Sequence, residues 1–220
     1  GQDRLVFLGP DDEILEIWFD ALHRPNLMGS VHQARIDRVF LSQNRAMASL
    51  KNGEVISLRL RKNDRRLVIV GAILPVTIVA APRHGKPWQA LAGARLLTEK
   101  MILLVGGVDQ ANAIQLSRRI KGNQRHHLTE RLLAEAGPVL PPGCGIILRD
   151  KGVDLSNFGV AVTAILRMWQ AGTKNLAEGK PGLIFDAGDL PTRARRLVGD
   201  LPVINNSVIP YDLSMTLDDA

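Results

Sequence analysis

Apolar and polar positions alternate over short runs in the first half of the chain, which is the period of a half-buried β-strand. Turn signals such as Lys51-Asn52-Gly53 separate these runs at close spacing. The expected strands are Val31–Val39, Ala46–Leu50, Glu54–Leu60, Leu67–Ile73, Val76–Ala80 and Met101–Val105. Many short strands in one unit indicate a small all-β domain, for which a barrel of the OB type is the favoured architecture.

A β-hairpin is expected before this unit. Leu5–Leu8 and Ile14–Phe19 are short apolar runs, and Gly9-Pro10-Asp11-Asp12 between them is typical of a turn. Arg24-Pro25-Asn26 then interrupts the pattern and marks a domain boundary.

The second half of the chain changes to helical periodicity. Helices are predicted over Gln124–Ala136 and Asn157–Ala171, because apolar side chains recur every three or four residues and a glycine follows each segment. A short buried strand, Gly145–Arg149, lies between them. Leu183–Phe185 and Thr192–Val198 predict a further strand and helix in the tail. The predicted fold class is therefore α+β, with an OB-type β-barrel followed by a small α/β unit.

Positive charge is concentrated in the middle of the chain. The net charge is +6; residues 1–28 hold two basic and six acidic side chains, residues 29–135 eighteen and seven, and residues 136–220 eight and nine. A basic block between acidic or neutral segments is the electrostatic pattern of a protein that binds a polyanion. The alternative is a solvated basic face on an unrelated enzyme.

Composition narrows the class of protein further. Hydrophobic residues make up 45% of the chain and charged residues 23%, which is typical of a globular protein and argues against disorder. No apolar run reaches the ~18 residues of a membrane-spanning helix, so no membrane partner is expected. The single cysteine, Cys144, rules out an internal disulfide and favours a reducing, cytoplasmic location. We expect Cys144 to be a small apolar residue that enters a strand.

Several motifs follow one another in a characteristic order. They are Leu116-Ser117-Arg118-Arg119-Ile120 with Arg125 and Leu128, then Gly145–Arg149 after a loop of prolines and glycine, Gly152-Val153, and a helix that ends near Trp169. This order is similar to the 5′-end-sensing region of the ribonuclease E/G family of bacterial endoribonucleases. Gly29-Ser30-Val31 with Arg35 and Val39 resembles the opening strand of that family's RNA-binding OB-type domain, and Gly85-Lys86-Pro87 resembles a basic turn late in it.

The resemblance implies a division of the chain into four segments. Residues 29–98 would be the OB-type RNA-binding domain and residues 99–172 the 5′-sensor-like α/β unit, both inserted into a partial ribonuclease-H-like domain made of residues 1–28 and 173–220. It also implies RNA as the partner, in RNA processing or decay. Family members cleave RNA with a metal ion held by carboxylates of a domain downstream of everything matched here. We therefore expect no cofactor in this chain, and Mg²⁺ only together with such a catalytic domain.

Two positions depart from the family's pattern. The strand that carries base-stacking aromatic residues in the family reads Arg45–Leu50 here and contains no aromatic residue. Asp150 follows Arg149, where the family has a threonine. A carboxylate beside an arginine pairs with it and repels phosphate, so we expect 5′-monophosphate sensing by Arg149 to be weakened or lost.

Two basic groups are candidates for RNA contact. The first lies at or just before a helix start, where backbone N–H groups and guanidinium groups favour phosphate. It consists of Arg118, Arg119, Lys121 and Arg125. Pairing of one of these arginines with an acidic side chain inside the protein is the alternative. The second group consists of Arg83 and Lys86 with Trp88, whose ring is predicted either to stack a base or to fill the core.

Asp186 and Asp189 are the weak candidates for a metal site. They follow the expected strand Leu183–Phe185, and two carboxylates at a strand end can hold Mg²⁺. An ordinary strand end followed by an Asp helix cap is the favoured interpretation.

Two functions remain open at this point. The chain is either the RNA-binding front portion of a ribonuclease E/G-type endoribonuclease, or a non-catalytic RNA-binding subunit of a ribonucleoprotein that derives from that family. RNA is the expected partner in both cases, and further copies of the chain or other ribonucleoprotein subunits are additional candidates.

Overall fold

The computed structural model describes residues 4–8, 11, 13–19, 26–61, 63–83, 85–98, 101–105, 114–117, 120, 124–149, 158–174, 176 and 178–198. The strands are β1 (Arg4–Leu8), β2 (Ile14–Phe19), β3 (Val31–Phe40), β4 (Arg45–Ser49), β5 (Val55–Arg59), β6 (Ile73–Ala80), β7 (Trp88–Ala92), β8 (Ala94–Leu97), β9 (Met101–Val105), β10 (Ile114–Leu116), β11 (Cys144–Leu148) and β12 (Gly182–Phe185). The α-helices are α1 (Gln124–Ala136), α2 (Phe158–Lys174) and α3 (Leu190–Val198), and short 3-10 helices lie at Leu41–Gln43 and Asn63–Arg66.

Five strands close into a barrel in the order β3-β4-β5-β7-β6, and β6 returns to pair with β3. Neighbouring strands are antiparallel except for β5 and β7, which run parallel. The first barrel strand therefore pairs with the second and the fourth, and the third with the fifth, which is consistent with an OB-type barrel. The predicted α+β class with a closed barrel is confirmed.

The barrel interior combines small and large side chains. The residues that face inward and are buried include Ala34, Ile36, Ala46, Ala48, Ile56, Leu58, Ile78, Trp88 and Ala90. Alanines opposite the larger residues let a narrow barrel fill without overpacking. Burial of each large aliphatic side chain stabilises the fold by about 1.5–3 kcal/mol. The alternation seen in the sequence is thus the signature of this core.

The predicted strand over Leu67–Ile73 is wrong. Asp64 accepts the backbone N–H of Arg61 at 2.7 Å and fixes the 3-10 helix that precedes this segment. Ile69 and Val70 then point into solvent, 61% and 65% exposed. The strand begins only at Ile73, after Gly71 has turned the chain with a φ of 83°. Apolar composition therefore suggested a strand where local turn chemistry prevails.

The second unit is a four-stranded sheet in the order β10-β11-β9-β8. β10 and β11 run parallel with α1 as the crossover between them, and the other pairs are antiparallel. Its core joins residues of the sheet, α1 and α2, including Leu103, Leu132, Ile146, Phe158 and Ile165. Both predicted helices are confirmed, and Cys144 is buried at the start of β11, where burial raises the pKa of its thiol.

The two units meet at different residues from the predicted segment ends. Ala94–Leu97, expected in the barrel segment, lies in the second sheet as β8. Gly182–Phe185, expected in the tail segment, pairs with β3 at the edge of the barrel sheet. β1 and β2 form a separate two-stranded antiparallel sheet, and β1 contacts α3. Within the described ranges, no helix is both long and apolar enough to cross a membrane.

Candidate nucleic-acid interface

The outward face of β3, β4 and β5 carries a row of cationic and apolar side chains. Strand register places Phe40 opposite Arg45, and Arg45 opposite Arg59 on the next strand. Arg38 lies opposite Met47 in the adjoining row. Phe40 is 37% exposed, and the three arginines are exposed as well. We call Arg38, Phe40, Arg45, Met47 and Arg59 the arginine face.

Charge in the barrel segment is strongly unbalanced. Residues 29–98 contain twelve lysine and arginine residues against three aspartate and glutamate residues. Two of those carboxylates are engaged locally, because Asp64 is buried and accepts the N–H of Arg61, and Asp37 accepts the hydroxyl of Ser49. Like charges directly opposite each other on neighbouring strands are destabilising. The Arg45–Arg59 pair therefore creates a surface that an anion would stabilise.

Phe40 supplies an exposed aromatic ring on the strand next to β4, whereas the resemblance implies base-stacking aromatic residues on β4 itself. The strand Arg45–Ser49 has none, as predicted, but Phe40 stands beside Arg45 at the end of the neighbouring strand. An exposed ring next to guanidinium groups can stack a base while the cations hold the backbone. Sequence reasoning missed Phe40, Arg45 and Arg59 as candidate site residues. The sequence did contain one indication, because these residues occupy the solvent-facing positions in the alternation of buried and exposed residues along their strands.

Arg83 and Lys86 lie in the loop between β6 and β7, and both are exposed. The backbone N–H of Lys86 donates to the carbonyl of Arg83 at 2.9 Å, which fixes the turn between them. Trp88 is only 3% exposed and belongs to the barrel core, so the stacking role considered for it is wrong. The strand geometry turns its ring inward, since it begins β7 in phase with buried Ala90.

The arginines around α1 divide into two sets. Arg118, Arg119 and Lys121 lie outside the described residues. Arg125 in the first turn of α1 donates from Nη1 to the carbonyls of Ser117 and Ile120, and from Nη2 to that of Leu116, at 2.7–3.2 Å. Its guanidinium thus ties α1 to the end of β10 through backbone carbonyls, an internal role that differs from the pairing with an acidic side chain considered as the alternative to RNA contact.

Arg149, directly after β11, is engaged within the protein. Its Nη1 donates to the carbonyl of Thr98 at 3.2 Å and to that of Arg196 in α3 at 2.9 Å. The neighbouring Asp150 lies outside the described part of the chain. A guanidinium that already bonds two carbonyls has fewer N–H groups to offer a phosphate.

Asp186 closes a local turn, and Asp189 caps the start of α3. Oδ1 of Asp186 accepts the N–H of Gly188, and Oδ1 of Asp189 accepts the N–H of Thr192 in the first turn of α3, both at 2.9 Å. Both carboxylates also act on the pKa of Arg196, which burial lowers and they raise. One oxygen of each carboxylate is thus engaged by a backbone N–H, which agrees with the interpretation as an ordinary strand end followed by a helix cap. In the part of the chain that the structure describes, no three His, Cys, Asp or Glu side chains gather as a metal site.

A buried histidine lies where β12 joins the barrel. His32 of β3 is 8% exposed, and its Nε2 is 2.8 Å from Oγ of Ser30. Burial lowers the pKa of His32 to about 4, although the negative charge of Asp186 acts in the opposite direction. The ring is therefore neutral near pH 7.

No family model matches the chain, and no match is found among curated proteins.

Proposed function

We propose that the barrel binds single-stranded RNA on its arginine face, and that the chain is the RNA-binding front portion of a ribonuclease E/G-type endoribonuclease. The observation that carries the binding proposal is Arg45 directly opposite Arg59, with Phe40 alongside Arg45. Each of the two guanidinium groups can bind one backbone phosphate, and the exposed ring of Phe40 can stack on a base.

The rest of the barrel supports this location. OB-type barrels commonly bind oligonucleotides on the face of their second and third strands, with help from the adjoining loops. Here those strands are β4 and β5, and the β6–β7 loop contributes exposed Arg83 and Lys86. A single strand suits this surface better than a duplex, because stacking on Phe40 requires an unpaired base.

The assignment to a ribonuclease E/G-type enzyme rests on the order of sequence motifs and on one feature of the fold. The first described strand, β1, contacts the last described helix, α3, although the barrel and the sheet unit lie between them in sequence. Such a meeting of the two ends agrees with a ribonuclease-H-like domain that is split by inserted units. In this proposal the catalytic carboxylates and their Mg²⁺ belong to a further domain.

Fluorescence anisotropy with a labelled single-stranded RNA tests the binding proposal. With about four to six phosphate contacts, log K should fall against log salt with a slope of roughly −3 to −4. The double variant Arg45→Gln/Arg59→Gln should weaken binding by about tenfold or more and reduce the slope by about 1.4, since each phosphate contact on a single strand contributes about 0.7. Phe40→Ala should weaken binding by about 1–3 kcal/mol, the usual contribution of one stacked base.

The matched control is Arg167→Gln/Lys174→Gln, which removes the same charge from the exposed surface of α2. Equal weakening by the two double variants would show that only net charge matters and would overturn the arginine face. The alternative function, a non-catalytic subunit of a ribonucleoprotein, predicts the same binding. The two differ in RNA cleavage: the full-length natural protein should cleave RNA with Mg²⁺ if it is the endoribonuclease, and should leave the RNA intact if it is the non-catalytic subunit.

A further inference from the structure

A second arginine pair lies where the chain passes from the barrel into the sheet unit. The parallel pairing of β5 and β7 ends with Arg59 opposite Leu91. Arg61 follows two residues after the first, and Gly93 two residues after the second. Arg95 lies two residues beyond Gly93, in β8. Arg61 therefore lies on the continuation of β5 beyond Arg59, and Arg95 lies on the continuation of the chain beyond β7, past the end of the parallel pairing.

The backbone at this corner is held firmly. The hydroxyl of Thr77 donates to the carbonyl of Gly93 and accepts the N–H of Arg95, both at 2.9 Å. Thr77 is itself 4% exposed, and Gly93 turns the chain with a φ of 86°. These hydrogen bonds hold the backbone of Arg95 in a fixed position against the barrel.

Charge at the corner is not balanced. The exposed Arg61 is close enough to Arg95 to lower its pKa, an effect second to burial, and Asp64 acts in the opposite direction. Asp64 is 2% exposed and its Oδ2 accepts the N–H of Arg61 at 2.7 Å. Two guanidinium groups against one carboxylate leave an excess positive charge, and exposed Arg65 and Arg66 add to it. Arg95 is half-buried, and a partly buried positive charge beside a second one is costly unless an anion joins them.

We propose that Arg61 and Arg95 bind a backbone phosphate of the RNA strand that leaves the arginine face, and so guide that strand from the barrel onto the sheet unit. This inference rests on the proposed function. Arg61 lies two residues beyond Arg59, about 6–7 Å along an extended chain, a step of the same order as one extended nucleotide. Guanidinium groups suit this role because they bind phosphate with two parallel N–H···O bonds.

The test uses two RNAs of different length and the variant Arg95→Gln in the full chain. A strand of about four nucleotides fits within one OB-type surface, whereas one of about twenty exceeds the roughly 4–16 nucleotides that such a surface covers. We expect Arg95→Gln to leave binding of the short RNA unchanged, to weaken the long RNA by about fivefold, and to reduce the salt slope by about 0.7 for the long RNA alone. Arg61→Gln should reproduce this pattern, and Arg95→Lys should restore part of the affinity.

The controls separate this inference from the proposed function. Arg45→Gln/Arg59→Gln should weaken both RNAs, and Arg131→Gln, an exposed position of α1, should weaken neither. If Arg95→Gln affects neither RNA while the double variant weakens both, the corner site is refuted and the arginine face stands. If Arg95→Gln weakens both RNAs equally, Arg95 supports the barrel as a whole and the guiding role is refuted. Urea unfolding of each variant shows whether lost affinity reflects lost folding.

Discussion

His32 makes the stability of the fold depend on pH in a way that can be worked out from its surroundings. The hydroxyl of Ser30 donates to the carbonyl of Leu27, so its oxygen accepts a hydrogen bond from Nε2–H of His32. Nδ1 of the neutral ring carries no proton, and protonating it would place a positive charge among buried residues. Burial accordingly lowers the pKa of His32 to about 4, against the smaller opposing effect of Asp186.

The sign follows from comparing the two states. In the unfolded chain the imidazole has a pKa of about 6.5, so below that pH the unfolded state binds a proton that the folded state does not. The free energy of unfolding then falls by about 1.4 kcal/mol per pH unit, and stability present at pH 7 is lost progressively between about pH 6.5 and pH 4. Over this window the total loss from His32 alone is about 3 kcal/mol.

Urea unfolding of the parent chain and of His32→Gln, from about pH 7.5 to 4.5, measures this effect. Glutamine keeps an N–H donor for Ser30 and does not titrate. The stability difference between the two proteins should shift in favour of the variant by about 2–3 kcal/mol as the pH falls. His127→Gln, on the exposed surface of α1, is the control for substitution of a solvated histidine. A constant difference between parent and His32→Gln across the whole range would refute the argument.

Two further predictions concern the chain after the barrel. Asp189→Ala removes the acceptor for the N–H of Thr192 and should lower the free energy of unfolding by about 1 kcal/mol, whereas Asp189→Asn, which keeps an acceptor, should have a much smaller effect; equal losses would contradict the capping role. RNA with a 5′-monophosphate should bind no more tightly than RNA with a 5′-hydroxyl, because Arg149 already bonds the carbonyls of Thr98 and Arg196; a preference of about tenfold in paired titrations would refute this.

Local patterns in the sequence predicted those elements whose stability depends on their own residues. Gln124–Ala136 has a clear apolar face and a glycine stop, and the helix occupies those residues. Trp88–Ala92 and Ala94–Leu97 were missed as strands, because their outward positions are only half-exposed and carry little polar alternation. Whether such a run becomes a strand depends on the neighbours it meets, which lie far away in sequence.

The candidate site was harder to predict from the sequence, because it too depends on contacts between residues that lie far apart in the chain. The opposition of Arg45 and Arg59 depends on the register between β4 and β5, and a shift of one residue would turn one of them into the core. The engagement of Arg149 depends on carbonyls 51 and 47 residues away. Charge composition indicated a polyanion-binding surface in the middle of the chain, but only the paired strands show which cations share a face.

The position of β12 has a consequence for the order of events during synthesis. The first residues of β3 pair with β6 on one side and with Gly182–Phe185 on the other. Barrel closure needs nothing beyond Ala92, so the barrel can form while the ribosome is still adding the sheet unit. Until Phe185 has emerged, however, the backbone of Val31–Gln33 keeps one unpaired hydrogen-bonding edge. During that interval the nascent barrel is exposed to strand exchange with other chains, and arrival of β12 ends the exposure.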